Sequence, residues 1–169
     1  MLILCFSGVY AQNGTEKIKV TDLTKIKQIT GVTMSPDGKQ AIYSLQTIEP
    51  SEENKLEYDY RTHLWLTDFT NPPKPLTRGA ESVRQPSFAP DGSKIVFART
   101  IKGKSQLFVM PLNGGEAYQL TEWKYGAGNP AWSPDGKYIV FSAGMSLTEL
   151  LKDSLMNPLK GFPSWSIEK

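Results

Sequence analysis

Three aspartates stand in one repeated phrase: Asp37 in Ser35-Pro36-Asp37-Gly38, Asp91 in Ala89-Pro90-Asp91-Gly92 and Asp135 in Ser133-Pro134-Asp135-Gly136. A set of carboxylates is raw material for general acid–base work or for a hard cation. The chain adds an adjacent acid pair, Glu52-Glu53, a single histidine, His63, and a single cysteine, Cys5. A Ser-His-Asp triad within these residues has to use His63. No serine stands in G-x-S-x-G: Gly103-Lys104-Ser105 runs into Gln106-Leu107, and Gly144-Met145-Ser146 into Leu147-Thr148. There is no P-loop and no G-x-G-x-x-G, and one histidine with one cysteine supplies no ordinary zinc site. We therefore expect no catalytic residue, no metal ligand and no cofactor site in this chain. Glu52 and Glu53 are the substrate-binding candidates, able to hold an amine if their loop faces a central cavity. Trp65, Trp123, Trp132 and Trp165 suit stacking on a sugar, but Trp65 and Trp132 fall at repeat positions, which favours packing. His63 directly precedes Leu64-Trp65 and reads as a surface residue at a strand edge.

The identical context of the three aspartates makes them structural. Proline presets φ at the first central position of a turn, aspartate suits the second, and glycine takes the left-handed φ that follows. Pro36-Asp37-Gly38, Pro90-Asp91-Gly92 and Pro134-Asp135-Gly136 are thus predicted to join antiparallel strands through type I turns with a bulge. Each turn runs into an apolar triplet: Ala41-Ile42-Tyr43, Ile95-Val96-Phe97 and Ile139-Val140-Phe141. Consecutive apolar residues do not alternate in and out, so both faces of these strands are expected to be covered.

A second pair of phrases keeps step. Leu64-Trp65-Leu66-Thr67 matches Leu107-Phe108-Val109-Met110, and Pro75-Leu76-Thr77 matches Gln119-Leu120-Thr121. Leu76 to Leu120 spans 44 residues, as does Asp91 to Asp135. Four short strands in about 40–45 residues is the size of one β-propeller blade. The expected fold is all-β: a partial β-propeller of two complete four-stranded blades and part of a third. A signal-peptide remnant covers 1–11 and a lead-in segment 12–30. The incomplete propeller covers 31–169, with blades at about 31–79, 80–123 and 124–169. The first unit is longer, and its surplus, Thr47 to Tyr60, reads as an acidic surface loop.

Two helices are expected to interrupt the strands. Thr21-Asp22 caps a short one carrying Leu23, Ile26 and Ile29. Ser146-Leu147-Thr148-Glu149 is a capping-box sequence opening a helical insertion near the C-terminus, which Asn157-Pro158 stops. Leu2 to Ala11 is apolar and too short for a membrane span, and cleavage after Ala11 implies export to the periplasm or the medium. Net charge is +2 with scattered lysines, so no nucleic-acid partner is indicated. A propeller closes with four to eight blades, so the shortfall predicts a fragment of a longer protein.

The repeats resemble those of the prolyl oligopeptidase family of serine peptidases, in particular its secreted acylaminoacyl-peptidase and dipeptidyl-peptidase-like members. They also resemble the Tol-type periplasmic propellers. The lead-in Asp22-Leu23 with Ile26, the acidic insertion ending Tyr58-Asp59-Tyr60-Arg61, and Leu76-Thr77-Arg78-Gly79 lean toward the peptidase. So does Gly114-Gly115-Glu116-Ala117 with Gln119-Leu120-Thr121. That resemblance implies a propeller that gates peptide substrates for a C-terminal α/β-hydrolase domain in cis, with peptides as partners. This chain carries no triad of its own, so whether it is an enzyme stays open. The alternative is a non-enzymatic Tol-type scaffold that binds proteins.

Overall fold

A computed structural model describes residues 17, 19–51, 54 and 56–146. Ten strands form three antiparallel sheets. The first holds β1 (Gln28–Met34), β2 (Ala41–Pro50), β3 (Tyr58–Thr67) and β4 (Lys74–Pro75) in that order. The second repeats the pattern with β5 (Val83–Phe88), β6 (Lys94–Ile101), β7 (Lys104–Pro111) and β8 (Tyr118–Gln119). The third pairs β9 (Ala127–Trp132) with β10 (Ile139–Ala143). Two full four-stranded blades and the first hairpin of a third are therefore present among the described residues. The first strands β1, β5 and β9 meet from blade to blade, whereas β4 and β8 form outer edges.

The apolar triplets lie where two-sided burial requires them. Along β6, Ile95 and Phe97 enter one core with Ile42, Leu64, Val83, Phe88 and Phe108, between the first and second blades. The alternate residues Val96 and Ala98 enter a second core with Leu107, Val109 and Ala127, shared with the third blade. Successive side chains of a strand point to opposite faces, so one strand feeds two interfaces. Aromatic pairs repeat in register: Tyr43 stacks on Trp65 and Phe97 on Phe108, with centroids 6.5 and 6.0 Å apart. Both outer flanks are open among the described residues. Ile29, Val32 and Met34 of β1 are exposed on one flank, and Val140 of β10 on the other.

Three expectations are corrected. The lead-in helix is a 3-10 segment, Val20–Lys25, not an α-helix running to Ile29. Ile26 is already extended and Ile29 belongs to β1, because the β-branched run of Ile29, Thr30, Val32 and Thr33 favours a strand. The N-cap is Lys19, whose N–H donates to the Asp22 carboxylate at 2.8 Å, and Asp22 also pairs with Lys25 at 2.7 Å. The acidic surplus is not a loop over its length. It extends β2 and β3 into a hairpin arm whose ladder runs from Thr47↔Arg61 to Pro50↔Tyr58. Glu49 and Asp59 face each other there, and the Arg61 guanidinium lies 3.8 Å from each, which offsets the like-charge opposition. Third, His63 is not at a strand edge: it sits inside β3, opposite Leu45, and is half-buried. The segment 1–11, the helical insertion beyond Ser146, and Trp165 lie outside the described residues.

Candidate inter-blade cleft

The turn aspartates bind their own backbone. The Ser35 hydroxyl donates to Asp37 Oδ1 at 2.6 Å, and the Lys39 N–H donates to the same oxygen at 3.1 Å. Asp135 repeats both contacts with Ser133 and Lys137 at 2.6 and 3.1 Å. These donors hold both carboxyls below the usual carboxylate range, the serine hydroxyl first and the backbone N–H next. In the middle copy Ala89 replaces the serine, and Ser93 supplies the hydroxyl to Asp91 at 2.8 Å. Gly38, Gly92 and Gly136 take φ of 70, 70 and 69°, the left-handed value the turn needs. Each turn also seats on its neighbour. A methyl added at Gly92 would lie 3.9 Å from the Pro36 ring, and one at Gly136 would lie 3.6 Å from Pro90. Asp37, Asp91 and Asp135 thus stand in separate hairpins, one per blade. Among the described residues no group of three His, Cys, Asp or Glu is placed to hold a metal. Glu52 and Glu53 lie outside the described residues.

The Leu-Thr phrase ends each complete blade with a side-chain bond. The Leu64 N–H donates to Thr77 Oγ1 at 2.9 Å, and the Leu107 N–H to Thr121 Oγ1 at 2.9 Å. In the second blade Gln106 completes the closure. Its Oε1 accepts from Thr121 Oγ1 and from the Trp123 N–H at 2.9 Å each, and its Nε2 donates to the Trp123 carbonyl at 2.7 Å. The same place in the first blade is His63, whose Nδ1 is buried without a hydrogen-bond partner. Burial lowers the His63 pKa, Glu49 and a backbone hydrogen bond with Gly79 oppose that shift, and Arg61 and Arg99 reinforce it. Trp65 and Trp132 pack as repeat positions, the Trp132 indole donating to the Ser87 carbonyl across blades at 3.2 Å.

A concave surface lies between the first and second blades. It is a cleft of about 510 Å³ bordered by β1, β2, β3 and β5. Each first strand carries an irregularity here: at Ile29/Gly31 in β1, at Arg84/Ser87 in β5, and in β9 opposite Val140/Ser142. Gln85 and Asn129 sit in these bulges with φ of 56 and 50°, each directly before a proline. Positive φ is uncommon outside glycine, and asparagine tolerates it best. Hydrogen bonds hold the pair: Gln85 Nε2 donates to Asn129 Oδ1 at 2.6 Å and the Asn129 N–H to Gln85 Oε1 at 2.9 Å. Asn129 Nδ2 then donates to Ser142 Oγ at 2.9 Å. Sequence reasoning missed these two residues. The signal was available in Gln85-Pro86 and Asn129-Pro130, spaced like the turns.

No family model matches the chain. The uncharacterized peptidase YuxL of Bacillus subtilis (strain 168) is 32% identical over 138 residues, 80% of this chain and 20% of that protein. Dipeptidyl-peptidase 5 of Porphyromonas endodontalis is 30% identical over 132 residues, 78% of this chain and 18% of that protein. This chain thus spans about a fifth of the length of these curated relatives. Among solved structures, the acylaminoacyl peptidase of Pyrococcus horikoshii matches with TM-score 0.54 and 21% identity, over 70% of this chain and 17% of that one. A putative TolB from Agrobacterium tumefaciens matches with TM-score 0.50 and 21% identity, over 66% of this chain and 37% of that one. These two likenesses speak to the fold.

Proposed function

We propose, from the premise that this chain is the propeller region of a prolyl oligopeptidase-family peptidase, that it gates peptide substrates for a C-terminal α/β-hydrolase domain in cis. The observation that carries the reading is the 32% identity to a curated peptidase over four-fifths of the chain. The blade pattern supports the gating role. Stacked sheets with polar clefts between their first strands admit an extended chain and exclude a folded one. Bond cleavage by an acyl-enzyme route belongs to the hydrolase domain, because the sequence offers no nucleophile elbow. Export belongs to the same proposal, with cleavage after Ala11.

One experiment tests these points together. The intact protein is labelled with a serine-reactive fluorophosphonate and mapped by peptide mass spectrometry. The label is expected on a serine outside residues 1–169, and the mature N-terminus at Gln12. A label on a serine within this chain overturns the division of labour, and a mature protein retaining residues 1–11 overturns the export reading. The second reading is a non-enzymatic scaffold, for which the TolB likeness in fold speaks. It carries less weight because that likeness has 21% identity while the curated relatives at 30% and 32% are peptidases. Absence of any labelled serine in the intact protein would favour it.

A further inference from the structure

The cleft between the first and second blades is more than a seam. At the second junction the bulge residue of each blade reaches its neighbour, Gln85 to Asn129. At the first junction the β1 irregularity falls at Thr30, and Gly31, which stands four residues before Ser35 as Gln85 stands before Ala89, is paired opposite Ser44 and has no side chain to reach with. Its backbone is not left-handed, and an added Cβ would meet only Ser44 Oγ, at 4.0 Å. Neither conformation nor crowding demands glycine there, and its effect is to leave the cleft open. Behind it Ser44 is 2% exposed, and its Oγ is buried with no hydrogen-bond partner. Buried hydroxyls are normally paired, so this one is a donor left unused behind the cleft wall.

The lining is one-sided in chemistry. Hydroxyls come from Tyr60, Thr62 and Ser82, amides from Gln46 and Gln85, and the single charge is Arg84. Among the described residues that line the cleft, none is a carboxylate. A neighbouring cleft of about 410 Å³ toward the third blade shares Arg84 and Gln85, adds Lys104, and likewise lacks a carboxylate. The Arg84 guanidinium is oriented by one bond, Nη2 donating to Thr100 Oγ1 at 3.2 Å, which leaves further donors on the same planar group.

We propose that this cleft binds the C-terminal carboxylate of a peptide, with Arg84 on the carboxylate and the hydroxyls of Tyr60, Thr62 and Ser82 on the last peptide units. A guanidinium beside donor groups, with no competing anion, selects an oxyanion over a cation or a neutral group. Binding stands on the cleft alone, and its use as a substrate anchor rests on the peptidase reading. The substrate would then be positioned from its carboxyl end.

The test is binding of acetyl-trialanine to the intact protein by calorimetry, set against the same peptide with an amidated C-terminus. The free acid is expected to bind at least about tenfold more tightly, the worth of one charge-assisted contact. Arg84→Gln is expected to erase that preference and Arg84→Lys to keep part of it. Gly31→Gln, which places at this position the side chain type found at the aligned Gln85, is expected to weaken acid and amide alike while circular dichroism is unchanged. Equal binding of acid and amide, or an acid preference that survives Arg84→Gln, overturns the proposal. Acetate competing as well as the peptide acid overturns the assignment to a peptide end. None of these readouts depends on turnover, so loss of peptidase activity and loss of binding are told apart.

Discussion

His63 is where the two complete blades differ most in chemistry. In the second blade Gln106 satisfies a hydroxyl, an N–H and a carbonyl at the outer edge, while His63 leaves its Nδ1 buried and unpartnered. We expect His63→Gln to raise stability by about 1 kcal/mol, the usual net worth of one hydrogen bond. Because the folded state lowers the His63 pKa from 6.5, it favours the neutral ring. The contribution is therefore fully present above pH 6.5 and is lost as pH falls below it. Denaturant melts at pH 7.5 and 5.5 should show a larger gap for the parent chain than for His63→Gln. An equal gap would remove His63 as its source. None of this was legible in the sequence, since a histidine beside an apolar strand reads as surface until the repeat is aligned to Gln106.

At the scale of elements, the phrase Leu-Thr ends each complete blade by replacing a ladder bond with a hydroxyl. Thr77 and Thr121 are both buried, as are Leu64 and Leu107, whose N–H groups they accept. Thr121→Val keeps the shape and removes the acceptor, leaving the Leu107 N–H without its partner. We expect a loss of about 1–3 kcal/mol, the cost of an unsatisfied buried group. Thr121→Ser should restore most of it, and a Val variant as stable as the parent would show that this bond is not what holds the edge. The turns, the apolar strands and the Leu-Thr edges were legible because each is a local phrase said more than once. The hairpin arm was not. Its acids read as a solvated loop, whereas the ladder extends β2 and β3 there with Arg61 sitting between Glu49 and Asp59. The lead-in helix failed for the opposite reason: helical spacing of Leu23, Ile26 and Ile29 competed with a β-branched run that joined the sheet.

For the whole molecule, the sheets of the described residues share two cores and leave two flanks uncovered. Ile29, Val32 and Met34 are 57, 64 and 51% exposed on one flank, and Val140 is 68% exposed on the other. Stacked repeats are stabilised by their neighbours, and end repeats with apolar outer faces associate. We expect residues 1–169, expressed alone, to self-associate as concentration rises, read by sedimentation velocity. Replacing Val32 and Val140 with lysine should suppress it. A monodisperse monomer of the unmodified chain at high concentration would mean that these faces do not drive contact.

The proline-on-glycine seating between successive turns has a consequence for how such a molecule grows. Pro36 of the first turn meets Gly92 of the second, and Pro90 of the second meets Gly136 of the third, so the middle turn uses both its proline and its glycine. A tandem duplication of one unit therefore arrives with both halves of the joint already in place. Blade number can change by copying a stretch of gene, with no new interface to invent, as a brick carries both the stud and the socket.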